Sequence, residues 1–235
     1  MLSIQDPTSL FDGLDLIEQR EQEVKAHIGQ VSYEGLHSPI LLSQDMSGGC
    51  GGKIWEAANV MIDYLIWKND QLEGQLFKDQ TVIEVGAGTG LIGIAIAKIC
   101  SHVHQVIITD QLPMMNLMVE NIQLNQLNSV VSPAILDWGT PITNSSLLNA
   151  DVIIASDCIY LEVAFIPLFD TLLALTENPN TIIYLSYRKR RKADKRFFQL
   201  ARKKFVFETV EDDPRHAVYS KVGLHLFVVK RKQSP

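Results

Sequence analysis

Residues 81–85 read as a short buried strand and residues 91–99 as a helix, and the stretch that joins them, Glu84-Val85-Gly86-Ala87-Gly88-Thr89-Gly90-Leu91-Ile92-Gly93, contains four glycines. Glycine lets the backbone turn sharply and lets a ligand reach a helix N-terminus without meeting a Cβ. A strand that enters a helix through such a turn is the first half of a βαβ unit, whose next strand lies parallel to the first. The rest of the chain repeats the unit. Residues 105–109, 130–136, 151–156 and 181–187 read as further strands, and residues 113–124 and 163–175 as helices. Upstream, Ile54, Ala57, Ala58, Met61, Ile62, Leu65 and Ile66 recur at helical spacing, placing an amphipathic helix over residues 54–68. Downstream the rhythm breaks. Residues 192–203 read as a helix, and 205–210 and 224–229 as strands with no helix between them. The expected fold is α/β: a Rossmann-like sheet of seven strands, mostly parallel with a C-terminal antiparallel strand pair, and helices on both faces.

The N-terminal part is weakly patterned, with a helix expected around residues 14–24 and extended segments within 31–42. Gly48-Gly49-Cys50-Gly51-Gly52 then marks a loop whose main chain can approach something closely. The expected division is an N-terminal extension, residues 1–47, packing on a catalytic domain, residues 48–235. With 235 residues, 46% of them apolar, the chain can build its own core. Its longest apolar runs, such as residues 91–97, are too short to span a bilayer, and the N-terminus lacks a basic-then-apolar signal pattern. Cys50, Cys100 and Cys158 are scattered, and the six histidines share no ligand spacing, so neither a disulfide framework nor a metal site is implied. A cytoplasmic monomer is expected.

Two cofactors suit the glycine turn. Gly88-Thr89-Gly90-Leu91-Ile92-Gly93 satisfies the GxGxxG fingerprint of dinucleotide binding, with Asp110 about 20 residues on, where a ribose-binding carboxylate is expected. Read one step earlier, Glu84-x-Gly86-x-Gly88-x-Gly90 is the pattern in which S-adenosylmethionine enzymes receive the cofactor's methionine portion. The turn alone leaves both open. Glu84 would repel a pyrophosphate but can organise the loop around a cationic amino acid. About 80 residues precede the loop, and the tail is antiparallel; both features favour the second reading. Asp110 can accept from ribose hydroxyls or cap the helix before Pro113. In Leu136-Asp137-Trp138-Gly139, Trp138 can cover an adenine face and Asp137 can accept from its amino group; a loop-packing Trp with an Asp cap is the plainer alternative.

Gly52-x-Ile54-Trp55 opens the first helix, and Ala155-Ser156-Asp157-Cys158-Ile159-Tyr160 ends a strand with an Asp-x-x-Tyr motif. With Glu84-Val85-Gly86-Ala87-Gly88-Thr89-Gly90, Asp110 and Leu136-Asp137-Trp138, these stretches resemble the seven-β-strand protein-lysine methyltransferases that modify translation elongation factors and Hsp70-type chaperones. The likeness spans residues 48–235 and is greatest to the fungal enzymes acting on elongation factor 1-alpha. It implies that Trp55, Glu84, Gly86, Ala87, Gly88, Asp110, Asp137, Trp138 and Ser156 line an S-adenosylmethionine site, while Asp157 and Tyr160 face a protein substrate. A small-molecule methyltransferase and a non-catalytic module of the same fold are the rivals. No Asn/Asp-Pro-Pro-Tyr follows the fourth strand, which argues against adenine methylation of DNA or RNA, and no direct nucleic-acid substrate is expected.

Methyl transfer from a sulfonium to an amine is an in-line displacement, so positioning and exclusion of water supply much of the rate. Asp157 serves as a base or as an orienting group, and Tyr160 as an acceptor or an aromatic face for a cation; a strand-end hydrogen bond and core packing are their plainer roles. Residues 188–204 hold ten of the 21 basic residues against one acid, Asp194, a local charge of +9 within a net charge of −6. That run is either a solvated helix face or a docking surface for an acidic protein patch or RNA.

Overall fold

The structure is a computed structural model that describes residues 27–48 and 50–233. The helix expected around residues 14–24 lies outside the described residues. In chain order the elements are β1 (His27–Val31), β2 (Ile40–Gln44), α1 (Glu56–Gln71), β3 (Thr81–Val85), α2 (Leu91–Ile99), β4 (Gln105–Asp110) and α3 (Met115–Leu124). There follow β5 (Val131–Ile135), β6 (Val152–Ser156), α4 (Phe165–Leu175), β7 (Ile182–Arg188), α5 (Asp194–Ala201), β8 (Phe205–Thr209), α6 (His216–Tyr219) and β9 (Leu224–Arg231).

Seven of the strands form one sheet in the order β5-β4-β3-β6-β7-β9-β8. The strands from β5 to β7 are parallel, and the last strand, β9, inserts antiparallel between β7 and β8. The chain leaves β3 toward one edge and returns at β6 to build toward the other. This reversal opens a crevice beyond the carboxyl ends of β3 and β6, where sheets of this kind bind ligands.

Both faces of the sheet are covered, which is why its central strands are apolar without interruption. Side chains still alternate between faces. Val82, Val106, Ile108, Val152 and Ile154 join one core with Met61, Leu65, Ile92, Ile96 and Met118 from α1, α2 and α3. Ile83, Val85, Ile107, Ile153 and Ala155 join the other with Leu168 and Leu172 of α4 and Phe197 of α5.

The β1–β2 hairpin extends beyond the expected 31–42 at both ends and is fixed to α3 by two side-chain amides. Asn121 accepts from the Ser43 N–H at 2.6 Å and donates to the Ser43 carbonyl at 3.0 Å, and Asn125 does the same with Leu41. Asn121 also donates to the Thr89 carbonyl at 2.9 Å, so it ties the hairpin to the glycine turn. One expectation fails: the connection between β8 and β9 contains the one-turn helix α6. Asp213 initiates it, its Oδ1 accepting from Arg215 N–H and its carbonyl from His216 N–H, both at 2.9 Å. A single turn is too short to produce a legible periodicity. The helix expected at 192–203 starts at Asp194, whose Oδ2 accepts from the N–H groups of Arg190 and Arg191.

Candidate active site

A cavity of about 610 Å³ lies at the crevice. The carboxyl ends of β3, β4 and β6 form its base, and the segment from Cys50 to Trp55 forms a wall. Its lining includes Trp55, Glu84, Gly86, Ala87, Gly88, Asp110, Trp138, Ser156, Asp157 and Tyr160, brought together from five separate stretches of chain. Asp137 is the exception. It is exposed and stands outside the lining, its carbonyl accepting from the Thr140 hydroxyl at 2.7 Å.

Gly86 and Gly88 both adopt positive φ, at 64° and 54°. A Cβ on Gly86 would come within 2.9 Å of the Trp138 ring and 3.0 Å of Cys158 Sγ; on Gly88 it would meet the Gly51 carbonyl at 2.3 Å. The second glycine loop is therefore pressed onto the first, and both close approaches exclude any side chain. Asp110, at the end of β4, braces this turn: its Oδ2 accepts from Gly88 N–H and its Oδ1 from Gln111 N–H, both at 2.7 Å. Each oxygen retains one acceptor position. Burial holds the Asp110 carboxyl above its ordinary range, against the opposing pull of the two backbone donors.

The wall is fastened by its own residues. Trp55 donates from Nε1 to the Cys50 carbonyl at 3.0 Å, and Cys50 Sγ lies 3.6 Å from the Tyr160 hydroxyl. Lys53 Nζ sits 4.0 Å from the Trp55 ring centroid and the Arg190 guanidinium carbon 5.4 Å from it. Burial, then the Cys50 contact, holds the Tyr160 phenol above its ordinary range, so it stays protonated at neutral pH. Cys158 is a buried thiol donating to the Val85 carbonyl at 3.3 Å, raised well above the usual thiol range by burial and by nearby carboxylates. It has no nucleophilic character.

Asp157 follows β6 with φ 55° and is buried. Arg190 grips it bidentately, Nη1 to Oδ1 at 2.6 Å and Nη2 to Oδ2 at 2.5 Å, and the Arg188 N–H adds a bond to Oδ1 at 3.2 Å. Sequence reasoning missed Arg190 as a site residue. The pair forms because β6 and β7 run in register, Ser156 opposite Ser186, and β7 continues two residues further to Arg188, which brings Arg190 beside Asp157. Nothing in the local sequence encodes that adjacency.

A family model described as lysine methyltransferase matches residues 36–204. The Saccharomyces cerevisiae protein-lysine N-methyltransferase EFM6 is 34% identical over 95% of this chain and 99% of its own. The chain belongs to this lysine methyltransferase family. Protein N-lysine methyltransferase METTL21A of Danio rerio is 31% identical over 83% of this chain and 87% of its own. Among solved structures, P. horikoshii TYW2 in complex with MeSAdo aligns at a TM-score of 0.51 and 18% identity over 88% of this chain and 72% of that one, a likeness of fold.

This methyltransferase is a protein-lysine N-methyltransferase that uses S-adenosylmethionine. Its cavity suits that cofactor. Glycines make room at the turn, and Asp110 offers two unfilled acceptor positions beside it.

Glu84 is the most deeply buried carboxyl group of the cavity lining. Its Oε2 accepts from Gly93 N–H at 2.8 Å, which anchors the start of α2 to β3, and burial pushes its carboxyl up to about 8. A raised folded-state value means that the folded chain holds a proton which the unfolded chain releases near pH 4.5. The stability that Glu84 contributes to the cofactor-free enzyme therefore falls as pH rises from about 4.5 toward 8. Glu84→Gln keeps an acceptor for Gly93 and removes that slope. Between pH 5.5 and 8 its melting temperature is expected to gain several degrees on the wild type, at about 2–4 °C per kcal/mol. Parallel melting curves across that range would show that Glu84 does not titrate there.

Proposed function

We propose that this methyltransferase acts in the cytoplasm as a monomer and methylates a lysine of translation elongation factor 1-alpha. The reading rests on the cavity that sets the Asp157–Tyr160 motif across from the glycine turn. It is supported by likeness to EEF1A lysine methyltransferase 3 of Xenopus tropicalis, 29% identical over 64% of each chain. No helix among the described residues is long and apolar enough to cross a membrane.

When bound, S-adenosylmethionine supplies an electrophilic methyl group. Gly86, Ala87 and Gly88 receive its amino-acid portion, Asp110 its ribose, and Trp55, Trp138 and Ser156 the remaining contacts. Glu84 acts by holding the turn against α2. Asp137 has no role in this arrangement, because its exposed position leaves it outside the cavity lining.

The chain's own groups prepare the amine. Oδ1 of Asp157 is filled by Arg190 and Arg188, whereas Oδ2 accepts only from Arg190. One acceptor position therefore remains, enough to fix the direction of a lysine nitrogen. Asp157 is thus an orienting group. Free lysine is protonated at neutral pH, with a pKa of about 10.4, and must lose that proton to become a nucleophile. Arg190 offsets the Asp157 carboxylate, which would otherwise hold the bound lysine in its charged form, and so favours the neutral amine. The proton departs to water at the cavity mouth, where Tyr160 is 38% exposed and presents its ring to the arriving side chain.

Incubating the purified enzyme with methyl-labelled S-adenosylmethionine and elongation factor 1-alpha should label a lysine of that factor. Label confined to another protein, or to a small molecule, would overturn the assignment.

A further inference from the structure

A second, shallow groove of about 340 Å³ lies at the β7–β9 side of the sheet. Its floor is aromatic. Tyr187 of β7 and His225 and Phe227 of β9 lie nearly parallel, with centroids 5.3 to 6.3 Å apart. Lys189 flanks it on one side and Lys195 and Arg202 of the α5 region on the other, with Gln199 between them. Positions 195, 199 and 202 fall on one helical face because they are spaced four and three apart.

The charge balance of this region is unusual. Of the ten cations in residues 188–204, Arg188 pairs with Glu56, Arg190 with Asp157 and Arg196 with Glu162. The other seven have no carboxylate partner among the described residues. The rest of the chain carries a net −15. Unpaired like charges on adjacent helical turns repel; Arg202 also lies over the Phe198 and Phe207 rings, 5.7 and 5.8 Å from their centroids, which holds its guanidinium at the groove. The groove and the active site are linked along the chain: Lys189, which lines the groove, is followed directly by Arg190 and Arg191, which line the catalytic cavity.

We propose that this groove docks an acidic segment of the protein substrate, carboxylates meeting Lys189, Lys195 and Arg202 and an apolar side chain resting on the aromatic floor, while the target lysine enters the neighbouring cavity. The proposal rests on the lysine-methyltransferase reading of that cavity and specifies the class of protein it accepts. A protein fits better than RNA for two reasons. An occupant that reaches from the groove to the cavity must deliver a lysine, and a phosphate chain extending past the patch would meet the acidic remainder of the surface. Contacts of this kind steer encounter and fix register, and they weaken with salt.

The test uses the full chain and the variant Lys189→Glu/Lys195→Glu/Arg202→Glu, with the corresponding glutamine variant as a milder companion. A fluorescent glutamate-rich peptide and a labelled oligouridylate are titrated by anisotropy at about 50 and 300 mM salt, which spans a large change in screening. The peptide should bind the wild type, weaken with salt, and lose at least about tenfold in affinity in the charge-reversed variant, with a smaller loss in the glutamine variant. Both variants should keep the melting shift given by S-adenosylmethionine. With elongation factor 1-alpha as methyl acceptor, KM should rise about tenfold at unchanged kcat. Equal peptide binding by all three proteins, or tighter binding of the oligouridylate, would overturn the proposal. A wild type that binds the peptide but leaves elongation factor 1-alpha unlabelled would instead overturn only the choice of substrate.

Discussion

Asp157→Asn is expected to lower kcat for lysine methylation by roughly 10²–10³-fold, within the range usual for a group that governs the protonation and direction of a reacting nitrogen. Binding of S-adenosylmethionine should stay within about twofold of wild type, a change of under about 0.5 kcal/mol. Asparagine is the informative replacement. Asp157 has φ 55°, a left-handed conformation that asparagine tolerates and alanine does not, and its N–H still donates to the Ser186 carbonyl at 2.8 Å. What disappears is the carboxylate charge and the symmetrical acceptor that Arg190 grips. Undiminished turnover would remove Asp157 from the mechanism.

Arg190→Gln divides orientation from proton release within the same experiment. Without the guanidinium, the bound amine keeps its proton to higher pH, so the rising limb of kcat against pH should move upward. Asp157→Asn should mainly lower the plateau. A pH profile that stays in place when Arg190 is neutralised would mean that the cation serves only to hold Asp157.

The sheet and the turn were legible in the sequence because both are local. Apolar runs such as Val152, Ile153, Ile154 and Ala155 report burial on two faces, and Gly86, Gly88 and Gly90 report a turn needing left-handed φ. What was illegible arises from adjacency across the sheet. Arg190 meets Asp157 only because β6 and β7 pair in register, with β7 running on past the end of β6, and Gly51 meets Gly88 only because one glycine loop folds over another. Glu84 was read as organising the loop around a ligand; it lines the cavity, and the sequence did not show that its carboxyl accepts from Gly93 in α2, nine residues on. Asp137 depends on adjacency in the same way. A carboxylate next to Trp138 looks placed for a purine, yet the chain leaves β5 in an orientation that brings the ring to Gly86 and sets the acid outside the lining.

Asp110→Ala is expected to weaken S-adenosylmethionine binding by about 10²-fold or more. The argument counts hydrogen bonds. Each Asp110 oxygen accepts one backbone N–H and keeps one position for a ligand hydroxyl, and hydrogen bonds to a charged group are worth about 1.5–3 kcal/mol apiece. Two such bonds suffice for a hundredfold change, at about 1.4 kcal/mol per factor of ten. Alanine also frees the Gly88 N–H, which loosens the turn that Gly51 presses against, so the loss includes preorganisation. Asp110→Asn separates these contributions, because its amide oxygen can still accept from Gly88 while its NH₂ group can only donate. It should fall between wild type and alanine in calorimetric Kd, and the melting shift given by S-adenosylmethionine should shrink in the same order, as mass action on the folded state requires. If alanine and wild type bound the cofactor equally, Asp110 would be a brace for the glycine turn alone, and the ribose would have to be held from elsewhere in the cavity.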